Sequence, residues 1–184
     1  AMTAAGYPVI LTREPGGSTS AEAIRKLIVE GDTDRWDDIS ELLLIYAARR
    51  SHLQETILPN LAQGEWVISD RFADSSRAFQ GIAGGLGLEL VEQIHQIVVG
   101  EFKPVLTLVL DIDPALSLQR AQQRGGNEDR FEQKGLEYQQ KVRQGFIQLT
   151  KASPGTHALI DASHSIEEVQ ASIREIVRQR LGLE

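Results

Sequence analysis

The 184-residue chain is 41% hydrophobic and 24% charged, with no cysteine, a formal net charge of −7 and a sequence pI near 5.2. That length suits one domain with a sizeable core, and the acidic balance argues against nucleic acid or an anionic membrane as partner, since both need a broad basic face. A chain without cysteine forms neither a disulfide framework nor a thiolate metal site, and with no signal peptide and no apolar run near the roughly 20 residues of a membrane span, a cytoplasmic setting is expected.

In chain order, Tyr7-Pro8-Val9-Ile10-Leu11-Thr12 is a short apolar run of the kind a buried strand shows. Ile24, Leu27 and Ile28 follow at helical spacing. A stronger helix is expected from Asp38 to Leu58, with Ile39, Leu42, Leu43 and Tyr46 on one side and Pro59 ending it. Trp66-Val67-Ile68-Ser69-Asp70 is the next strand. Gly81 to Gly87 reads as a mobile glycine-rich stretch, leading into a helix that carries Leu88, Val91, Ile94, Ile97 and Val98. Val105 to Leu110, after Pro104, is a continuous apolar run that suits a strand covered on both faces. Helices are expected over 114–124 and 135–152, then a strand at His157–Ile160. The final helix opens with Ser165 and Glu168 in capping-box spacing and has Val169, Ile173, Ile176, Val177 and Leu181 as its inner stripe.

Strands separated by helices imply an α/β fold, a three-layer sandwich with a parallel sheet flanked by helices, as a single domain over residues 1–184. Ligands of such sheets bind beyond the carboxyl ends of the strands. There the first strand supplies Thr12-Arg13-Glu14-Pro15-Gly16-Gly17, whose glycines permit close approach of a ligand or serve a plain turn. The second supplies Asp70 and Arg71: the carboxylate suits a hydrated magnesium ion, the guanidinium a phosphate, and a surface ion pair is the other reading. Asp113 and Pro114 after the third strand read as a helix N-cap and first helical position. The segment at about 120–135, with Arg120, Arg124 and Arg130, reads as a lid over transferring phosphates or as a solvated charged loop. Arginine accounts for 14 of the 19 basic residues, and its planar fork suits phosphate. The joint placement of arginines at one edge of one sheet points to a small phosphorylated ligand.

Thr12-Arg13-Glu14-Pro15-Gly16-Gly17, Tyr46-Ala47-Ala48-Arg49, Asp70-Arg71, Asp74-Ser75-Ser76 and Phe79-Gln80-Gly81, in this order, resemble the bacterial thymidylate kinases of the P-loop nucleoside monophosphate kinase superfamily. The resemblance spans essentially the whole chain. It implies phosphorylation of dTMP to dTDP for dTTP biosynthesis, with ATP and Mg2+ as phosphoryl donor and cofactor, and a homodimer. By resemblance, Arg25 and Arg71 hold the dTMP phosphate, Arg49 donates to thymine O4, and Ser76 and Gln80 complete the polar contacts around the base. Phe79 stands where the family has a Tyr whose ring crowds the 2′ position, which implies a deoxy preference. Ile45 stands where the family often has a stacking Phe; Tyr46 lies about 100° further round the helix. Glu14 and Asp70 would sit near the attacking phosphate, with Asp70 reaching the magnesium through water, and Arg120, Arg124 and Arg130 would supply lid charge to the ATP phosphates.

The family also carries a P-loop, G-x-x-x-x-G-K-[ST], roughly 30 residues or more before the Thr12-Arg13-Glu14 segment. No Gly-Lys dipeptide occurs in the 184 residues. The resemblance therefore implies that the first strand, the P-loop and most of the first helix are absent, through a misplaced start or a shortened chain, so that activity of these residues alone is in doubt. That strand is normally central, so its absence is expected to expose apolar surface and unpaired edges. The alternative is a non-catalytic nucleotide-binding or interaction protein derived from a thymidylate kinase.

Overall fold

The computed structural model describes residues 2–32, 34–124 and 130–183, with the side chains of 120–124 and 132 falling outside it. Strand β1 (Val9–Arg13) pairs in parallel with β2 (Trp66–Asp70), Leu11 opposite Ile68, and β3 (Thr107–Asp111) pairs in parallel with β4 (His157–Asp161), Val109 opposite Leu159. The expected single sheet is thus two separate parallel pairs: among the described residues no ladder joins β2 to β3. Each pair leaves apolar side chains open. Leu11 is 79% exposed, Ile68 45%, Leu110 51% and Leu159 43%.

Helices α1 (Thr19–Val29) and α2 (Asp38–His52) stand together between β1 and β2 in the chain. Each starts at a side-chain cap: Ser18 accepts from Ala21 N–H at 3.3 Å, and Asp37 accepts from Ile39 and Ser40 N–H at 3.1 and 3.0 Å. The helix does not end at Pro59. It runs on through a π-helical turn, Leu53–Ile57, into α3 (Leu58–Ala62), where Pro59 sits in the first turn and its missing N–H costs little. On α2 the buried side is Leu42, Ile45, Tyr46 and Arg49, whereas Ile39 and Leu43, expected on the inner side, are 49% and 52% exposed.

The stretch after β2 is helical too. Short α4 (Ala73–Ser76) continues as a π-helical segment, Arg77–Ala83, so the helix already covers Gly81, which is buried rather than part of an open loop. Helix α5 (Leu88–Val98) buries Val91 and packs on α2, and with Leu42, Tyr46, Leu53, Ile57 and Val99 it forms the main core. Ile97 points outward at 84% exposure, contrary to its expected place in the inner stripe.

Helix α6 (Pro114–Arg124) starts as expected, with Asp113 accepting from Ala115 N–H at 2.9 Å. Helix α7 (Leu136–Ala152) joins the β3–β4 pair to the rest of the molecule, packing on both strands and on the 77–83 segment. Gly145 allows that approach, since a Cβ there would stand 3.3 Å from Ala78 Cα and 3.2 Å from Ile82 Cδ1. His157 Nε2 on β4 adds a polar tie, 2.6 Å from Asp74 Oδ2. The last helix, α8 (Ile166–Leu181), carries the full Ser165–Glu168 capping box, and its five expected stripe positions are half-buried against the sheet side. Among the described residues no helix is long and apolar enough to cross a membrane.

Candidate functional site

The carboxyl ends of β1 and β2 open into a cavity of about 500 Å³, which also reaches β3 and α7. Glu14, Arg25, Ile45, Arg49 and Asp70 line it from β1, α1, α2 and β2. Arg71, Ser76, Phe79 and Gln80 line it from the segment after β2. Nine positions expected from the sequence therefore meet in one place. Arg120 and Arg124 lie outside the described side chains.

The loop from Thr12 to Gly17 is held at almost every residue. Glu14 N–H donates to Asp70 O at 2.8 Å, and the Glu14–Pro15 bond is cis. Arg25 Nη1 donates to Pro15 O at 2.6 Å, and Thr56 Oγ1 donates to Gly17 O at 2.7 Å. Gly17 has φ +83°, and a Cβ there would lie 2.3 Å from Thr12 Oγ1 and 2.5 Å from His52 Nε2, so only glycine fits. Its N–H donates to Glu22 Oε1 at 3.0 Å. That bond first, then Arg13, holds the Glu22 carboxyl below the usual carboxylate range.

Arg49 is the centre of the buried polar network, 1% exposed and spread over the rings of Tyr46 and Phe72 at 4.5 and 5.5 Å. Its Nε donates to Glu14 Oε2 at 2.7 Å, Nη1 to Ser76 Oγ at 3.0 Å, and Nη2 to Phe72 O at 3.3 Å. A guanidinium has five N–H donors, and these bonds take three of them, while the Tyr46 hydroxyl also interacts with the Arg49 side chain. Glu14 lines the cavity but is not an open carboxylate. Its second oxygen accepts from His52 Nδ1 at 3.1 Å, and His52 Nε2 meets Thr12 Oγ1 at 2.7 Å, so Glu14 is the buried counter-ion of Arg49. Tyr46 is 1% exposed and belongs to the core.

Arg71 follows β2 with φ +71°, a left-handed conformation that costs a residue with a side chain about 1–2 kcal/mol. The turn places its guanidinium 5.0 Å from the centre of the Phe79 ring. Phe79 in turn meets Phe131, Tyr138 and Phe146 edge-on, with centroids 5.7 to 6.2 Å apart, and Tyr138 OH donates to its carbonyl at 2.9 Å. Residues held in this conformation cluster at binding and catalytic sites. Asp70 is an exposed carboxylate at the strand end.

Arg130 takes a different place from that expected of a lid arginine facing phosphates. It is 1% exposed, donating to Glu41 Oε2, to Asp32 O at 3.0 Å and to Ile28 O at 3.3 Å, and so ties the segment after 129 to α1 and α2. Glu41 and His52 were not singled out in the sequence. Their signal was present, since Glu41 interrupts the apolar side of α2 and lies two turns before Arg49 on the same face. Arg143 was missed as well; it forms a two-pronged pair with Asp111 at 2.6 and 2.9 Å on the cavity's β3 side.

The thymidylate kinase family model matches residues 1–173. A thymidylate kinase of Caulobacter vibrioides is 48% identical over 182 residues, covering 99% of this chain and 87% of that protein. One of Ruegeria pomeroyi is also 48% identical, over 98% of this chain and 85% of its own length. The crystal structure of thymidylate kinase from Ehrlichia chaffeensis superposes with a TM-score of 0.73 at 29% identity, covering 92% of this chain and 81% of that one. With its motifs gathered at one cavity and relatives matched over nearly its whole length, the chain belongs to the thymidylate kinase family, a family of phosphotransferases.

Proposed function

We propose that the cavity is a dTMP site, with thymine between Ile45 and Phe79, its edge toward Arg49, Ser76 and Gln80, and its phosphate toward Arg25 and Arg71. The observation that carries this reading is Arg49. Burying a guanidinium is unfavourable unless it is paired, and here Glu14, Ser76 and Phe72 fix its plane while leaving donors at the cavity for a carbonyl such as O4. Titration calorimetry with dTMP tests it: measurable binding supports the site, and none at high concentration removes it.

The reaction is transfer of a phosphoryl group from ATP to dTMP, where positioning and charge neutralisation matter more than proton removal. Asp70 is a single exposed strand-end carboxylate, a donor set suited to a hydrated Mg2+ held mainly by nucleotide phosphates. That ion would neutralise phosphate charge, and Asp70 would orient its water shell. Arg120 and Arg124 would supply lid charge within a domain that spans the whole chain. The 184 residues hold no Gly-Lys dipeptide. We therefore assign them dTMP binding with negligible turnover on their own, so calorimetry with ATP is expected to show far weaker binding.

The ring of Phe79 would crowd a 2′-hydroxyl. An unchanged ribo-against-deoxy preference in Phe79→Ala would discard that steric argument. Exposed Ile39 and Leu43 on α2 form an apolar strip that supports a homodimer, to be checked by sedimentation. A cytoplasmic setting fits a nucleotide kinase without cysteine.

A further inference from the structure

Glu41 lies on α2 two turns before Arg49, and it is 2% exposed, as deeply buried as the arginine. A buried carboxylate needs compensation, and three groups provide it. Arg130 Nη1 donates to Oε2 at 2.5 Å, Lys134 Nζ stands 3.6 Å from the same oxygen, and Gln80 Nε2 donates to Oε1 at 2.8 Å. An ionised carboxylate only accepts hydrogen bonds. The side-chain amide of Gln80 is therefore fixed with its NH2 toward Glu41 and its carbonyl oxygen turned away. Among the described residues no hydrogen bond engages that oxygen, and no buried side-chain N or O lacks a partner. Gln80 lines the cavity, so Oε1 faces it as an acceptor.

We propose that Glu41 is a specificity-determining positioning residue: by holding the Gln80 amide in one orientation it sets the cavity to present an acceptor at Gln80 beside the donors of Arg49. This rests on the dTMP reading above. Thymine offers a carbonyl at O4 next to a donor at N3–H and matches that pair of groups. Cytosine offers an amino group next to a bare N3 and opposes both. Glu41 contacts no part of the base and acts through Gln80. Because Arg130 shares the carboxylate, the segment that follows residues 125–129 is anchored to the same group that sets the base edge.

Glu41→Gln tests this with almost no change of shape. Arg130 and Lys134 are donors only, so they claim the carbonyl of the new amide and turn its NH2 toward Gln80. Gln80 must then reverse, presenting its own NH2 to the cavity. Calorimetry with dTMP and dCMP on both proteins is expected to show the dTMP:dCMP affinity ratio falling by about tenfold or more in the variant, as for a mismatched buried hydrogen bond. A ratio unchanged from the unaltered chain, including equal loss for both nucleotides, would mean that Glu41 is only structural and would overturn the proposal.

Should Glu41→Gln fail to fold by circular dichroism, N3-methyl-dTMP with the unaltered chain decides. The methyl group removes the donor that Oε1 requires, so binding at least about tenfold weaker than dTMP is expected. Equal binding overturns the proposal. If the unaltered chain binds no dTMP, the reading of the site falls and the proposal with it. If dTMP binds and the selectivity test that is run fails, only the proposal falls.

Discussion

The face of α2 that meets the cavity and the strands β1 to β4 pose the same problem in opposite ways. On α2, Glu41, Arg49 and His52 are each at most 2% exposed, and each is bonded to a partner from another part of the chain. On the strands, Leu11, Ile68, Leu110 and Leu159 remain open, and among the described residues no ladder joins the β1–β2 pair to the β3–β4 pair. The difference lies in where the partners come from. The polar network closes among β1, α1, α2, the helical segment after β2 and the residues Arg130 and Lys134 before α7, whereas the open apolar faces require a covering layer. The surroundings of Arg49 are thus closed without a ladder between the two strand pairs.

The strongest way to break this contrast is to cut the network at its centre. Arg49→Met leaves the Glu14 carboxylate buried without its cation, and a loss of about 3–5 kcal/mol in urea unfolding is expected, together with loss of dTMP binding. A loss below about 1 kcal/mol would show that water reaches Glu14 and that the network is not closed.

A smaller effect separates backbone conformation from packing within the loop. Gly17 and Gly85 have nearly equal φ, +83° and +81°, but a Cβ would collide with Thr12 and His52 at Gly17 and meet nothing within 4 Å at Gly85. Gly85→Ala is expected to cost about 1 kcal/mol, the left-handed penalty alone. Gly17→Ala adds overpacking and should cost about 3 kcal/mol in the same unfolding assay. Equal costs would mean that His52 can move aside, and the clamp on the loop would be looser than its hydrogen bonds imply.

Much of this was legible in the chain because it is local. The Ser165–Glu168 box, the Asp113–Pro114 start and the half-buried stripe of α8 depend on residues a few positions apart, and all formed as read. The strand-end motifs were legible for a different reason: parallel α/β topology delivers strand ends to one side, so Glu14, Asp70 and Arg71 met without any pairwise signal, whereas Arg25 on α1 and Arg49 on α2 were legible only through the family resemblance. What sequence spacing did not carry was the burial of charge. Arg130 reaches Glu41 across 89 positions, and nothing local distinguishes an arginine bound for a lid from one bound for the interior. The same limit applies to Glu14, whose commitment to Arg49 and His52 depends on how α2 is rotated. That rotation was misjudged, because Ile39 and Leu43 were placed inward when Glu41, Ile45 and Arg49 are there instead. Pro59 misled for a backbone reason: a proline stops a regular helix, but a π-helical turn just before it moves the ring into a new first turn.

The core beside the network gives a pH-dependent test. His95 on α5 is buried against Tyr46, with its Nδ1 3.5 Å from the tyrosine oxygen, and Arg77, Glu92, Arg49 and Asp74 act on it. Burial first, then Arg77, pushes its pKa below 6.5, while Glu92 and Asp74 oppose the shift. Below that value the unfolded chain takes up a proton that the folded chain resists. Its stabilising contribution is therefore complete above pH 6.5 and declines as the pH falls toward the depressed folded value. Comparing urea midpoints at about pH 7.5 and 5.5, the decline should be smaller in His95→Gln than in the unaltered protein. Equal declines would mean that water already reaches this part of the core.

The smallest effect is expected on the other side of the contrast. Leu11 is 79% exposed on β1, so replacing it with Thr, which also suits a strand, should alter stability by no more than about 0.5 kcal/mol. Leu42→Ala, at a position with 0% exposure, should cost about 2–5 kcal/mol in the same assay. Both residues are leucine in regular structure, and each replacement suits its own element, Thr a strand and Ala a helix, so cover is the main difference between them. If Leu11→Thr proved costly, something would have to cover that strand face in solution. A concentration-dependent unfolding midpoint would identify the cover as another copy of the chain, since association stabilises by mass action. If the substitution were neutral and reduced aggregation as well, the open strand faces would be exposed in solution too. The closed network on α2 would then be holding its geometry without a complete sheet beneath it.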